Sequence, residues 1–125
     1  MANNYLYDEQ AIVGKTVKSI VNSNNEELLI NFTNGGSCRF YHYQNCRGSV
    51  YIKESDDLNL LEGATLTSVT KEIEDGSDDH DSITITTYTF EYSEGIVKVI
   101  WKGVSNGYYS EEVDFEYFLF GRGGL

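Results

Sequence analysis

The chain has 125 residues, with 20 Asp plus Glu against 9 Lys plus Arg and a formal net charge of −11. Hydrophobic residues at 40% and aromatics at 14% exclude a disordered acidic tail, which lacks the apolar surface needed to offset ordering entropy. The negative balance excludes a general nucleic-acid binder, whose affinity comes from Lys and Arg on phosphates. The absence of proline excludes a polyproline stalk.

A length near the modal domain size predicts one domain over residues 1–125, with an ordered β core at 11–120 and a tail at 121–125. The first residues mix Asn, Tyr, Asp and Glu, so they lack the basic and apolar regions of a secretory signal. No apolar run reaches the roughly 20 residues that span a bilayer. A cytoplasmic location is therefore expected. Cys38 and Cys46 are then reduced thiols, and their spacing fits neither a CxxC pair nor a zinc site.

In chain order, residues 5–13 read as a short helix ended at Gly14, followed by a strand at 15–21. Leu28, Ile30 and Phe32 alternate with Leu29, Asn31 and Thr33, and Cys38, Phe40 and His42 with Arg39, Tyr41 and Tyr43. Asn34-Gly35-Gly36 lies between them and readily takes the positive φ of a tight turn, so 27–43 is a predicted β-hairpin. Residues 49–54 form a further strand. Residues 55–63 are a loop or single helical turn whose Leu58, Leu60 and Leu61 plug the core. A strand follows at 65–73.

The acidic stretch 72–81 reads as a solvated loop, because like charges repel. Two strands come next, at 83–92 and 96–102. Within the first, the apolar phase shifts from Ile83 and Ile85 to Tyr88 and Phe90, which points to a bulge near Thr86–Thr87 or to burial of both faces. The last strand, 109–119, sets Tyr109, Val113, Phe115, Tyr117 and Leu119 on one face and Ser110, Glu112, Asp114 and Glu116 on the other. Short strands with no long helix predict an all-β fold: a mainly antiparallel sandwich or partly open barrel with at most one or two short helical turns. An edge without proline needs charge, or pairing with another copy, to protect it, so a homo-oligomer is one expected partner state.

Catalysis has few footholds. His42 falls on an apolar phase, where a core histidine is the simpler reading, and His80 sits in the acidic stretch. No nucleophile elbow or phosphate loop occurs. The run 75–81 lacks the ligand order of a calcium loop. No catalytic residue, metal or cofactor is expected. Binding chemistry has more support, since Arg39 and Arg47 flank an aromatic cluster that includes Tyr41. Trp101 precedes Asn106, Gly107, Tyr108 and Tyr109. Aromatic faces stack on bases, Arg forks and turn amides bind phosphate oxygens, and so these eight residues make a candidate nucleotide pocket. Residues 63–125 hold 12 acids against 4 bases. Glu72, Glu74, Asp75, Asp78, Asp79, Asp81, Glu112, Asp114 and Glu116 are the alternative, an acidic surface for a basic protein partner.

Five stretches carry a resemblance: residues 12–17 (Ile-Val-Gly-Lys-Thr-Val), Arg39-Phe40-Tyr41-His42, Asn45-Cys46, residues 49–52 (Ser-Val-Tyr-Ile), and Ser105-Asn106-Gly107-Tyr108-Tyr109-Ser110-Glu111 with Val113-Asp114-Phe115. Across roughly residues 11–116 the chain resembles an uncharacterised family of small acidic proteins encoded by phages and prophages. The resemblance implies a phage gene expressed in a host bacterial cytoplasm. Small accessory phage proteins often counter host immunity, and this analogy sets the functional expectation. The chain would be a non-enzymatic anti-defence protein that binds and sequesters a small (cyclic) nucleotide immune signal. The alternative is an acidic inhibitor of a host defence nuclease, an anti-CRISPR or nucleic-acid mimic. Neither membrane nor direct nucleic-acid binding is expected.

Overall fold

In a computed structural model of the chain, residues 5–43, 49–78, 80–107 and 110–119 are described. The strands among them are β1 (Tyr5–Leu6), β2 (Val17–Ser23), β3 (Glu27–Phe32), β4 (Gly36–Tyr41), β5 (Ser49–Ser55), β6 (Leu66–Ser77), β7 (Ser82–Tyr92), β8 (Gly95–Ser105) and β9 (Asp114–Leu119). They form two antiparallel sheets, ordered β1-β9-β4-β3-β2 and β5-β8-β7-β6. The fold is an all-β sandwich with short helical turns, and the sheets do not close into a barrel.

Period-two patterning produces this arrangement directly. The predicted hairpin is β3–β4, with Leu28 opposite Phe40 and Ile30 opposite Cys38, all four buried. Gly35 takes φ +91° in its turn, and the Gly36 N–H donates to Asn34 Oδ1 at 2.8 Å. Phe115 and Tyr117 extend the same buried face along β9. The second sheet answers with Val97, Val99 and Trp101 from β8 and Tyr88 and Phe90 from β7. One long side is stitched where the start of β6 meets β2: Val17 N–H donates to Ala64 O at 2.8 Å and Leu66 N–H to Lys15 O at 3.0 Å.

Several sequence expectations change. Residues 5–13 hold no α-helix; β1 is followed by a 3₁₀ turn, Glu9–Ile12, where the Asp8 side chain caps the Gln10 N–H. At 58–61 the helical turn forms, yet Leu60 is 52% exposed while Leu61 is buried. Over residues 72–77 the acidic stretch is not a loop, because β6 runs to Ser77, paired residue by residue with β7. On an edge strand, Glu72 and Glu74 point into water, which screens their repulsion, and the ladder with β7 outweighs what remains. The last strand begins only at Asp114, so 110–113 crosses to it as irregular chain. Residues 121–125 lie outside the described residues.

Neither a bulge nor complete burial explains the phase shift in β7. Its pairing with β6 and β8 is unbroken through Thr86 and Thr87. The sandwich ends there instead. Beyond Tyr88, which still packs on Phe40, the inward residues Ile73, Asp75 and Thr84 border a cleft. Ile83 and Ile85 occupy the opposite face.

Candidate functional site

Arg39, from β4, stands beside Glu116 of β9 in the pairing register. Its Nε donates to Glu116 Oε2 at 2.8 Å, a second nitrogen lies 3.5 Å from Glu27 Oε2, and the guanidinium stacks 3.8 Å from the Tyr41 ring centroid. Tyr41 Oη donates to the other Glu116 oxygen at 3.4 Å. Burial and then Glu116 push the Tyr41 phenol above its usual range. This cluster already satisfies the charge of Arg39. Trp101 is 1% exposed on the inner face of the second sheet, so its indole belongs to the core and offers no stacking surface. Asn106 and Gly107 follow β8, where Gly107 N–H donates to Ser105 Oγ at 3.0 Å and Gly107 lines the cleft. The described residues of the expected nucleotide pocket are thus not brought together: two lie on one sheet's outer face, one in the core and two at the end of β8. Arg47, Tyr108 and Tyr109 lie outside the described residues.

The acids divide among three places. Glu72 and Glu74 stand on the outer face of the second sheet, and Asp75 on its inner face. At the β6–β7 turn, Asp78 accepts the N–H groups of His80 at 3.1 Å and Asp81 at 2.9 Å, which hold its carboxyl below the ordinary range. Asp79 is outside the described residues. Glu116 is taken by Arg39, and Asp114 accepts the Tyr43 N–H at 2.8 Å.

Two adjoining depressions, of about 560 and 340 Å³, share Lys71, Glu112 and Val113. The larger also meets Asp75, Thr84 and Glu111; the smaller meets Tyr7, Glu9, Tyr41 and Asp114. They make one groove along 111–115 with carboxylates on its walls. Lys71 lies 3.4 Å from Glu9 Oε2, which also accepts from Tyr88 Oη at 3.0 Å. Burial, and after it the negative charge of Glu9, Asp114 and Glu112, raises the Tyr88 phenol far above its ordinary value. The groove is electronegative and carries two partly exposed tyrosines.

Glu111 was not singled out from the sequence as a site residue. It is 8% exposed, and its carboxylate accepts from Ser105 Oγ, from Thr84 Oγ1 at 2.7 Å and from Ser82 Oγ at 3.3 Å. Thr84 Oγ1 is also 3.2 Å from Asp75 Oδ1, but its single proton serves the nearer Glu111 oxygen. Burial raises the Glu111 pKa, and the hydroxyl donors, Ser105 first, outweigh it, so this carboxyl titrates below the ordinary glutamate range. Gly103 permits this approach, since a Cβ there would fall 2.6 Å from the Glu111 carbonyl oxygen. The signal available in the sequence was position: counted from Val113 and Phe115, Glu111 falls on the apolar phase.

Cys38 is a buried free thiol whose pKa burial pushes far upward, which leaves it inert as a nucleophile. His42 is half-buried rather than in the core. Its Nδ1–H donates to the Glu112 carbonyl at 2.8 Å and ties the end of β4 to the groove. Among the described residues no three His, Cys, Asp or Glu side chains are arranged to hold a metal ion. No helix among them is long and apolar enough to cross a membrane. No curated protein and no solved structure matches the chain. The family model described as Domain of unknown function (DUF7448) matches residues 10–115, and the chain belongs to that family.

Proposed function

We propose that this protein is a non-enzymatic binding module that captures a basic segment of a partner protein in the groove along 111–115. The observation that carries this reading is the groove's chemistry: carboxylates of Asp75, Glu112 and Asp114 beside the partly exposed rings of Tyr7 and Tyr41. An Arg-rich segment suits such walls, because a guanidinium pairs with carboxylate and stacks on an aromatic face at once. Arg39 makes both contacts within the chain, with Glu116 and Tyr41. A nucleotide is less well served, since its phosphates would meet the same carboxylates, and Arg39 is already neutralised. The resemblance to phage and prophage proteins supplies the setting. The protein acts in a host bacterial cytoplasm, and its partner is a defence protein with a basic channel or arm.

Calorimetric titration of the full chain with an Arg-rich peptide and, separately, a cyclic dinucleotide tests this. The peptide is expected to bind, and more weakly as salt rises, because exposed charge pairs are screened. Glu112→Gln with Asp114→Asn should weaken binding by about tenfold, roughly 1.4 kcal/mol shared between two contacts. Asn retains an oxygen for the Tyr43 N–H. Glu91→Gln with Glu94→Gln makes the same charge change at exposed positions far along β7 and its turn, and should leave affinity unchanged. Equal losses in the two double variants would reduce the effect to net charge and defeat the reading, as would binding of the dinucleotide in place of the peptide.

A further inference from the structure

A sandwich normally turns polar side chains outward. The second sheet does so only in part. Its outer face carries Ile83 and Ile85 from β7 and Ile100 and Val104 from β8, all half-buried with no further layer of described residues over them. The charges on β6 and β8 are sorted by strand, with Glu54 of β5 beyond β8 and abreast of Ile100. Glu72 and Glu74 lie on β6 to one side, and Lys98 and Lys102 on β8 to the other.

The register fixes their heights. Glu74, Ile85 and Lys102 are abreast, Glu72, Thr87 and Ile100 make the next row, and Thr70, Thr89 and Lys98 the next. Neighbouring strands are about 4.8 Å apart, so β6 and β8 stand roughly 10 Å apart across β7. Glu74 and Lys102 therefore do not pair within the chain, and neither joins an ion pair among the described residues.

A second copy brings them together. Rotation by 180° about an axis parallel to β7 lays β6 of one copy over β8 of the other, without changing height along the strand. Glu74 then meets the partner's Lys102, Lys102 meets the partner's Glu74, and Ile85 meets the partner's Ile85 on the axis. Glu72 falls between the partner's Lys98 and Lys102. An axis across the strands at the same row would set Lys102 against the partner's Lys102. Edge-to-edge pairing of β6 would crowd Glu72 and Glu74 against their own copies. The face spans four strands, one of them 11 residues long. At about 4.8 Å per strand and 3.4 Å per residue, the three strands that overlap across this axis, β6, β7 and β8, offer roughly 540 Å² in plan, just under the roughly 600 Å² per partner at which standard interfaces begin.

We propose that two copies of this chain pack through the outer face of the second sheet, about a two-fold axis parallel to β7, with reciprocal Glu74–Lys102 pairs closing an isoleucine-centred contact. This leaves the groove along 111–115, which opens on the other face, free in each copy.

Sedimentation velocity of the full chain over a concentration series tests the proposal. The unaltered protein is expected to be a dimer, and Ile85→Asp a monomer with an unchanged far-ultraviolet circular dichroism spectrum. Glu74→Lys and Lys102→Glu should each weaken the dimer by roughly tenfold or more, because both reciprocal pairs become repulsive. An equimolar mixture of these two variants should regain it, since each contact again joins opposite charges. A monomer at every concentration overturns the proposal. So does a dimer that survives Ile85→Asp, and so does a mixture that fails to re-form the dimer.

Discussion

Phe40→Ala is expected to lower the free energy of unfolding by about 3–5 kcal/mol, read from the midpoint of a urea transition at unchanged slope. Phe40 has no exposed surface, and its ring centroid lies 5.0 Å from Phe115 in its own sheet and 4.7 and 5.6 Å from Tyr88 and Phe90 across the sandwich. β4 is hydrogen-bonded on both sides, to β3 and to β9, so the backbone around the vacated space cannot collapse into it. The cavity term is therefore retained in full. Against a typical total of about 5–15 kcal/mol, this loss brings the protein near its unfolding threshold. Phe40→Leu keeps most of the filling atoms and should cost less. A loss under about 1.5 kcal/mol for the alanine variant would mean that the two sheets do not meet through this ring.

Local periodicity made most of the architecture legible. Leu28, Ile30 and Phe32, the Asn34-Gly35-Gly36 turn, and Cys38 and Phe40 are near in sequence and report one hairpin, because side chains in a strand alternate strictly between faces. Arg39 was misread for the complementary reason. Its aromatic neighbour Tyr41 is two residues away on the same face, but Glu116, which neutralises it, comes from a strand 77 residues later. Trp101 shows the same limit, as its position between Ile52 and Thr86 depends on two pairings that local sequence does not specify. The acidic stretch of β6 misled because charge was weighed as repulsion alone, while an edge strand can direct its charges into water and keep its ladder. Two signals in plain view marked the groove. One was the change of apolar phase at Thr86; the other was a glutamate on the phase of Val113 and Phe115.

That glutamate carries the second large effect. Glu111→Ala is expected to cost about 2–4 kcal/mol at neutral pH, because it removes the charged acceptor that the Ser105, Thr84 and Ser82 hydroxyls share. Glu111→Gln preserves shape but loses the charge, and should cost about 1–3 kcal/mol. The pH dependence follows from the direction of the shift. The folded carboxyl titrates below its ordinary value of 4.5, so the native state binds fewer protons than the unfolded chain. The stabilisation is complete above 4.5 and is lost as pH falls through the folded value. The stability difference between the unaltered protein and Glu111→Gln should accordingly shrink below about pH 4.5 and be flat above it. Gly103→Ala attacks the same contact from the other side, since its Cβ would lie 2.6 Å from the Glu111 carbonyl oxygen and 2.7 Å from its Cβ. Backbone must move, at about 1–3 kcal/mol, and segment 110–113 lifts from the second sheet. Once it has lifted, the hydroxyls no longer reach the carboxylate, so Gly103→Ala and Glu111→Gln together should cost less than the sum of the two alone. Full additivity would separate Gly103 from the Glu111 contact. Sub-additivity, with weaker capture of a basic peptide in both single variants, would identify this buried carboxylate as the clamp that sets Glu112, Val113 and Asp114 along the groove.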